Sequence, residues 1–243
     1  MTAWLRCFAP RPDAAVRLVC FPHAGGSASA YHQWPAALGD GIEMHAVQYP
    51  GRADRFPEPL EPDPAAIARA VVAALPADGK DLALFGHSMG ALLAYEVARS
   101  LPGVRRLVVS GSLPPHTVHD QPPLWDPDDE VLVANLRELG GAGLEALTDP
   151  QLRPLVLPYI RNDLRLVDRY RHEPGPPAHF PITVLVGDSD RRAPTSRVGR
   201  WAELTEGPCR VRVFPGGHFY LDEQREAVTA AIGRELLDPM PAQ

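Results

Sequence analysis

A serine lies at the centre of the pentapeptide GHSMG (86–90), between the apolar run DLALF and the helical pattern ALLAYEVARSL. A serine in G-x-S-x-G on a strand-to-helix turn is held in a tight backbone bend, and the small glycines relieve the crowding. Its hydroxyl then projects above the sheet edge at the start of a helix, where amides can stabilise a developing oxyanion. The spacing therefore predicts Ser88 as a nucleophile. His87 is expected to pack beneath the turn rather than to react.

A nucleophilic serine needs a base, because a free hydroxyl is scarcely ionised at neutral pH. The turns GDSD (187–190) and GGHF (216–219) each follow a predicted strand, at the edge where open α/β sheets place ligands. We therefore expect Ser88, an acid and His218 to converge in that chain order. Asp190 is the preferred acid because it lies further from the strand end and can reach His218. Asp188 is expected to cap the turn, and stays the alternative.

Two backbone amides are expected to stabilise the oxyanion, and one of them is the amide of Met89, directly after the nucleophile. The other should come from the turn FPHAGG, whose glycines let the backbone approach the substrate closely. Ala24 is the preferred donor there, with His23 and Gly25 as alternatives. We also expect His23, Gly25 and Phe219 to contact the substrate, and we expect no metal.

Short apolar runs alternate with longer helical patterns along the chain. The predicted strands are 3–8, 16–22, 42–48, 81–86, 104–111, 181–187 and 209–214, and the predicted helices outside the longest connection are 64–75, 89–101, 196–204 and 222–237. Several strands are continuously apolar, as expected where a parallel sheet is covered on both faces. The alternation predicts an α/β fold with a mostly parallel, doubly wound sheet of about seven strands.

The long connection between the strands ending near 111 and starting near 181 carries no strand signal. One helix is predicted after the sequence DPDD (126–129), and a second after TDP (148–150), with Pro158 expected to bend it. Apolar residues trace one face of the second helix: Leu152, Leu155, Val156, Tyr159, Ile160, Leu164 and Val167. We interpret residues 113–178 as a helical cap over a pocket, inserted into a single domain of residues 1–243. The alternative is an extra helical layer with no role in substrate access.

Composition excludes several other classes of protein. The chain has 243 residues, 45% of them hydrophobic and 22% charged, which excludes disorder. A net charge of −6 without a run of Lys and Arg argues against a nucleic-acid partner. No apolar stretch approaches the roughly 20 residues of a membrane span. Three scattered cysteines do not suit a disulfide framework or a cysteine zinc site, so we expect reduced thiols in a cytoplasmic protein.

Proline is in excess, and its distribution follows the predicted organisation. The chain has 28 prolines, about twice the ordinary share of about 5%. Twelve of these 28 lie between 114 and 181, in and around the predicted cap. In the predicted core strands proline stands only at the ends, where a strand ladder tolerates it. The sequence therefore predicts an uninterrupted sheet, with segments stiffened by proline around the site. We also hypothesise that this stiffness tunes how often the cap opens.

Five ordered motifs together resemble the type II thioesterases, stand-alone α/β-hydrolases that accompany polyketide synthases and non-ribosomal peptide synthetases. The motifs are PHAGGSASAY (22–31), QYPGRADR (48–55), FGHSMGALLAYEVAR (85–99), VGDSDRRAP (187–194) and PGGHFYL (215–221). The resemblance implies an α/β-hydrolase fold, a Ser88–Asp190–His218 triad and oxyanion amides at Ala24 and Met89. It also implies hydrolysis of wrongly loaded or stalled acyl groups from the phosphopantetheine thiol of a carrier protein.

The implied partner is an acyl or peptidyl carrier protein, with acyl-CoA or acyl-pantetheine as surrogate substrates and no cofactor beyond the substrate's own phosphopantetheine. We expect a monomer. The run RRA (191–193) departs from the family, which more often has Asp-Pro and an apolar residue there. Arg191, Arg192, Arg197 and Arg200 could form a basic rim for an acidic carrier protein. The alternative is an ordinary solvated helix face.

Other functions are compatible with the same residues. A small-ester or lipid hydrolase would use an identical triad, and so would an acyltransferase that passes the acyl group to an alcohol or amine. A catalytically silent binding protein on this fold is a further alternative. Such proteins usually lose a member of the triad, and here none is missing.

Overall fold

A computed structural model of the chain describes residues 3–141 and 144–237. Seven strands form one sheet: β1 (Leu5–Arg6), β2 (Val16–Phe21), β3 (Ile42–Val47), β4 (Asp81–His87), β5 (Val104–Ser110), β6 (Ile182–Gly187) and β7 (Cys209–Phe214). Their order is β1-β3-β2-β4-β5-β6-β7, and only β1 pairs antiparallel with its neighbour. The predicted mostly parallel sheet is confirmed, although its first strand is only two residues long.

Eight helices accompany the sheet within the described residues. They are α1 (Pro35–Leu38), α2 (Pro64–Ala74), α3 (Met89–Arg99), α4 (Asp129–Leu139), α5 (Arg153–Arg169), α6 (Thr195–Val198), α7 (Tyr220–Glu223) and α8 (Arg225–Leu237). Side chains of α2 and α3 share one apolar cluster with the sheet, and those of α1 and α8 share another. The sheet is therefore covered on both faces, which explains its continuously apolar strands.

Two helix predictions differ from the structure. The segment 196–204 divides into the short helix α6 and a 3₁₀ helix (Gly199–Leu204), and the segment 222–237 divides into α7 and α8. In contrast, α2 begins where predicted because the Asp63 carboxylate accepts hydrogen bonds from the amides of Ala65 and Ala66. Local capping chemistry thus fixed this boundary.

The register of the parallel strands places the predicted site turns along one edge. Phe21, the last residue of β2, pairs with Gly86 of β4, and His87 pairs with Ser110 of β5. At the other side of the sheet, Gly187 of β6 pairs with Phe214 of β7. The loops that follow β2, β4, β6 and β7 therefore leave the sheet at its carboxyl edge, where open α/β sheets bind ligands.

The connection between β5 and β6 contains α4 and α5, and it covers the segment 113–178 that we interpret as a helical cap. Asp128 caps α4 by accepting hydrogen bonds from the amides of Glu130 and Val131, and α5 continues through Pro158 without interruption. The two helices pack on each other through a separate apolar cluster: Leu132, Val133, Leu136, Leu147, Leu157 and Leu164. The cap thus has an apolar cluster distinct from the two that flank the sheet.

The predicted apolar face of α5 is only partly correct. Leu152 and Leu155 are 44% and 49% exposed, whereas Leu157 and Leu166 are buried. Leu157 packs within the cap, but Leu166 packs into the main core against the sheet. Because α5 contacts two different clusters, its buried side chains do not follow a single stripe. Among residues 3–141 and 144–237, no helix combines the length and apolar character needed to cross a membrane.

Candidate active site

Ser88 lies on the sharp turn between β4 and α3, with backbone angles φ +55° and ψ −119°. A residue other than glycine rarely adopts a positive φ, so the surrounding contacts must hold the strained backbone of Ser88 in place. The flanking glycines allow the close contacts. A Cβ at Gly86 would lie 2.1 Å from the carbonyl oxygen of Gly90, and one at Gly90 would lie 2.0 Å from that of Phe21. The structure therefore contains the tight strand-to-helix turn predicted from the sequence.

Asp190 and His218 meet although 28 residues separate them. Nδ1 of His218 lies 3.1 Å from Oδ1 and 3.0 Å from Oδ2 of Asp190, and both side chains are buried. Burial raises the pKa of Asp190, but hydrogen bonds from His218 and from the amides of Arg192 and Ala193 outweigh it and leave the pKa below its ordinary value. Asp190 is thus ionised, so the His218 Nδ1–H donates. This tautomer leaves Nε2 as the basic nitrogen.

The alternative acid, Asp188, has a different role in the same loop. Its exposed Oδ1 accepts hydrogen bonds from the Ser189 hydroxyl (2.7 Å) and from the Gly216 amide (3.1 Å). These bonds lower the pKa of Asp188 and link the loops after β6 and β7. The geometry therefore favours Asp190 as the partner of His218, with Asp188 as a loop cap.

A cavity of about 270 Å³ opens between the sheet edge and the cap, and its wall includes Ser88 and His218 together with the two expected oxyanion residues, Ala24 and Met89. Apolar side chains from the core and the cap cover much of the remaining wall: Leu92, Leu113, Val118, Leu124, Leu164 and Val167. A hydroxyl, a basic imidazole and two candidate amides thus share one cavity with apolar side chains against which an acyl chain can pack. Polar side chains, among them Gln121 and Arg192, line the rest of the wall.

Three residues that we expect to contact the substrate do not line this cavity. They line a neighbouring groove instead: His23, Gly25 and Phe219. The ring of Phe219 packs edge-on against His23, with centroids 4.9 Å apart, and lies against Gly141 of the cap. Burial and the nearby His218 lower the pKa of His23 to about 4, so its ring is neutral at pH 7. The structure gives these residues a packing role around the catalytic loops.

The backbone amide of Gly25 is occupied, which bears on the choice of the second oxyanion donor. It donates to the Asp163 carboxylate at 2.8 Å, so it is not available to a substrate oxygen. Ala24 lines the cavity, so its amide remains the preferred candidate for the second oxyanion donor. His87 is fully buried beneath the serine turn, with Nδ1 3.0 Å from the Ser110 hydroxyl, as expected for a packed residue.

The predicted basic rim is weaker than expected. Arg197 pairs with Asp120 at 2.6 Å, and Arg200 pairs with Glu203 at 2.8 Å, so neighbouring carboxylates offset both charges. Arg192 is partly buried on the cavity wall and donates to the Pro122 carbonyl. Arg191 is exposed. Of the four arginines, it alone forms no hydrogen bond or ion pair with the described residues. The rim therefore reduces to Arg191 and Arg192.

A buried ion pair that could not be predicted from the sequence joins α5 to the core. Arg52 binds Asp163 of α5 through both terminal nitrogens. Arg52 belongs to the QYPGRADR motif, so the sequence could have indicated that this arginine has a role. Asp163 lies in no motif, and 111 residues separate it from Arg52, so nothing local in the chain pointed to the pair.

One group of side chains could offer ligands to a metal ion. Cys7, Glu43 and His45 place their ligand atoms within 4.8 Å of one another near the amino edge of the sheet, away from Ser88. However, the Glu43 carboxylate already pairs with Arg17 at 2.8 Å and Lys80 at 3.2 Å. Two cations beside the same carboxylate disfavour a third, so the group is better explained as an ion-pair network.

Comparison with known proteins places this site in a family. The family model described as a thioesterase domain matches residues 16–236. The chain belongs to the thioesterase family. It is 41% identical to Thioesterase PikA5 of Streptomyces venezuelae over 242 residues, which cover 96% of this chain and 85% of PikA5. It is also 40% identical to a probable cadicidin biosynthesis thioesterase of Streptomyces griseus, covering 96% of this chain and 66% of that protein.

A solved structure supports the same assignment. The type II thioesterase BorB from the borrelidin biosynthetic cluster is 40% identical, with a TM-score of 0.82 and coverage of 96% of this chain and 97% of BorB. The resemblance to type II thioesterases and the α/β-hydrolase fold are therefore confirmed. The chain is a thioester hydrolase, and the silent binding protein considered above is not supported.

Proposed function

We propose that this thioesterase removes acyl groups from the phosphopantetheine thiol of an acyl or peptidyl carrier protein, chiefly wrongly loaded or stalled units. The cavity carries the proposal, because Ser88 and His218 line it together with apolar side chains of the core and the cap. A flexible thioester arm can place its carbonyl at Ser88 while the acyl chain packs against those apolar side chains. The description of BorB as a type II thioesterase from the borrelidin biosynthetic cluster agrees with this substrate class.

The proposed reaction proceeds through an acyl-enzyme. His218, oriented by Asp190, accepts the Ser88 proton through Nε2 as Oγ attacks the thioester carbonyl. The amides of Ala24 and Met89 stabilise the oxyanion. The carbon–sulfur bond then breaks, and the thiolate takes the proton from His218. Water, deprotonated by His218, attacks the acyl-enzyme carbonyl. The bond to Ser88 Oγ then breaks, His218 returns its proton to Oγ, and the free acid leaves. These steps require no bound cofactor, since the substrate supplies the phosphopantetheine.

The test compares substrates that share an acyl group. Hydrolysis of acyl carrier protein and acyl-pantetheine thioesters of varied chain length, followed by mass spectrometry, should exceed hydrolysis of the matching oxygen esters. Preference for oxygen esters would favour the small-ester or lipid hydrolase. Transfer of the acyl group to an added alcohol or amine, in place of free acid, would favour an acyltransferase.

The carrier protein itself is proposed to dock beside the exposed Arg191, where an acidic partner finds an uncompensated charge. Arg191→Glu should slow turnover of acyl carrier protein and spare acyl-CoA. The matched control is Arg234→Glu on α8, which makes the same charge change at an exposed position far along the chain. Equal losses on both substrates would contradict this docking site. The cytoplasmic location and the monomeric state stay predictions.

A further inference from the structure

The turn that carries Ala24 is held from outside by the buried Arg52–Asp163 pair. The Asp163 carboxylate accepts the Gly25 amide at 2.8 Å, and Arg52 donates to the Gly26 carbonyl at 3.2 Å. Within the turn, the Gly26 amide donates to the His23 carbonyl at 2.9 Å. Successive backbone groups on both sides of Ala24 are therefore fixed, and the Ala24 side of the turn is left facing the cavity.

The pair is enclosed on every side that the structure describes. Arg52 and Asp163 are each 3% exposed, and the Arg52 guanidinium lies over the rings of Tyr49 and Tyr159, 5.3 and 4.8 Å from their centroids. Burial lowers the pKa of Arg52, but Asp163 more than offsets this and raises it, so the guanidinium stays charged. A buried ion pair is seldom better for stability than apolar side chains of similar volume. Its position on the turn suggests another role.

Asp163 belongs to α5, so the contact also ties the cap to the catalytic edge. Gly25 has a φ of +80°, and a Cβ there would lie 2.9 Å from Cγ1 of Ile160 on the same helix. The cap helix thus both touches the turn and supplies the acceptor for its central amide. Without that acceptor the Gly25 N–H would lose its hydrogen-bond partner, which favours rotation of the peptide away from this conformation.

We propose that Asp163 and Arg52 are positioning residues that orient the oxyanion turn, so that the oxyanion hole is complete only while α5 is docked. This inference rests on the proposed function, in which the Ala24 amide binds the oxyanion. Arg52 has a second effect, since it neutralises a carboxylate that would otherwise repel the developing negative charge. Neither side chain needs to touch the substrate.

The test separates transition-state stabilisation from folding and from substrate binding. In Asp163→Ala, and in the double variant Arg52→Met with Asp163→Leu, the acylation rate on acyl-pantetheine should fall about 100-fold, the scale of a lost oxyanion donor. The double variant removes both charges together, so it avoids an unpaired buried ion and keeps the experiment possible if the single variant unfolds. Asn162→Ala is the matched control, because Asn162 ties α5 to the Glu61 carbonyl at 3.0 Å and not to the oxyanion turn.

Two inhibitors give a readout that a merely structural role would not change. A trifluoromethyl ketone adds to the serine and forms an oxyanion, so its affinity should fall in parallel with the acylation rate. A thioether analogue forms no oxyanion, so its affinity should stay close to that of the unsubstituted enzyme. Equal losses for the two inhibitors, an unimpaired double variant, or an equal loss in Asn162→Ala would overturn the inference. Full activity in Ser88→Ala would overturn the proposed function, and this inference with it.

Discussion

At the residue scale, the site depends on groups whose chemistry and spacing are visible in the chain. Ser88 could be predicted because glycines at 86 and 90 permit backbone contacts that no larger residue allows. Asp190 and His218 could be predicted because each follows a strand that ends at the same sheet edge. Asp163 could not, because its partners Gly25 and Arg52 lie far away in sequence and only the folded chain brings them to α5.

The two carboxylates of the loop after β6 allow a direct comparison. Asp190→Asn should lower kcat about 10⁴-fold, the scale seen for a triad acid, because an amide cannot hold the required His218 tautomer. Asp188→Asn should keep most of the activity, because Asp188 binds Ser189 and Gly216 rather than His218. Steady-state kinetics on one thioester substrate measures both. A large loss in Asp188→Asn with a small loss in Asp190→Asn would reverse the assignment.

At the scale of elements, the strands were easier to predict than the cap. Continuous apolar runs identify strands covered on both faces, and the strand ends in the structure lie within one residue of those predicted, except in β1, where each end lies two residues inside the prediction. The capping sequence located the start of α4, whereas α5 begins at Arg153 with no side-chain cap at Leu152, and its buried side was not predicted. Its side chains pack on both the cap cluster and the main core, and periodicity describes only one face at a time.

Proline in α5 gives an element-scale prediction. Pro158 has no N–H, so the helix lacks one backbone hydrogen bond near its middle. Pro158→Ala restores that donor, so amide exchange over residues 155–162 should slow and cap opening should become rarer, with lower turnover if opening limits the rate. Hydrogen exchange measured beside thioester hydrolysis tests this. Unchanged exchange and unchanged turnover would show that the proline does not tune the cap.

At the scale of the whole molecule, the two edges of the sheet have different tasks. The carboxyl edge carries the strained serine turn, the His218–Asp190 pair and the cavity. Near the amino edge, a buried carboxylate network is centred on Glu43, which pairs with Arg17 and Lys80. The charged residues can be read from the sequence, but their pairing cannot, because the partners come from β2, β3 and the loop before β4.

The Glu43 network predicts how stability depends on pH. Burial raises the pKa of Glu43, but hydrogen bonds from Arg17, the Arg11 amide, His45 and Lys80 outweigh it and lower the pKa from 4.5 to about 2. Because the folded pKa lies below the unfolded one, this stabilisation is present above pH 4.5 and is lost as the pH falls towards 2. Glu43→Gln should therefore lower the free energy of unfolding at pH 7 by roughly 3 kcal/mol.

Urea unfolding at pH 7 and pH 3 measures that difference, which should shrink at the lower pH. Glu203→Gln is the control, because Glu203 forms an exposed pair with Arg200 and such pairs add little to stability. A difference between the Glu43 variant and the unsubstituted protein that stays constant from pH 7 to pH 3 would contradict the assigned pKa.

The central claim is that Ser88 carries the acyl group during hydrolysis of a carrier-bound thioester. Rapid quenching of the enzyme with acyl carrier protein, followed by intact-mass and peptide analysis, tests it most directly. We predict a transient gain of one acyl mass on the peptide that contains Ser88, and neither this adduct nor hydrolysis in Ser88→Ala. An acyl group on another residue, or hydrolysis retained by a clean preparation of Ser88→Ala, would contradict the account.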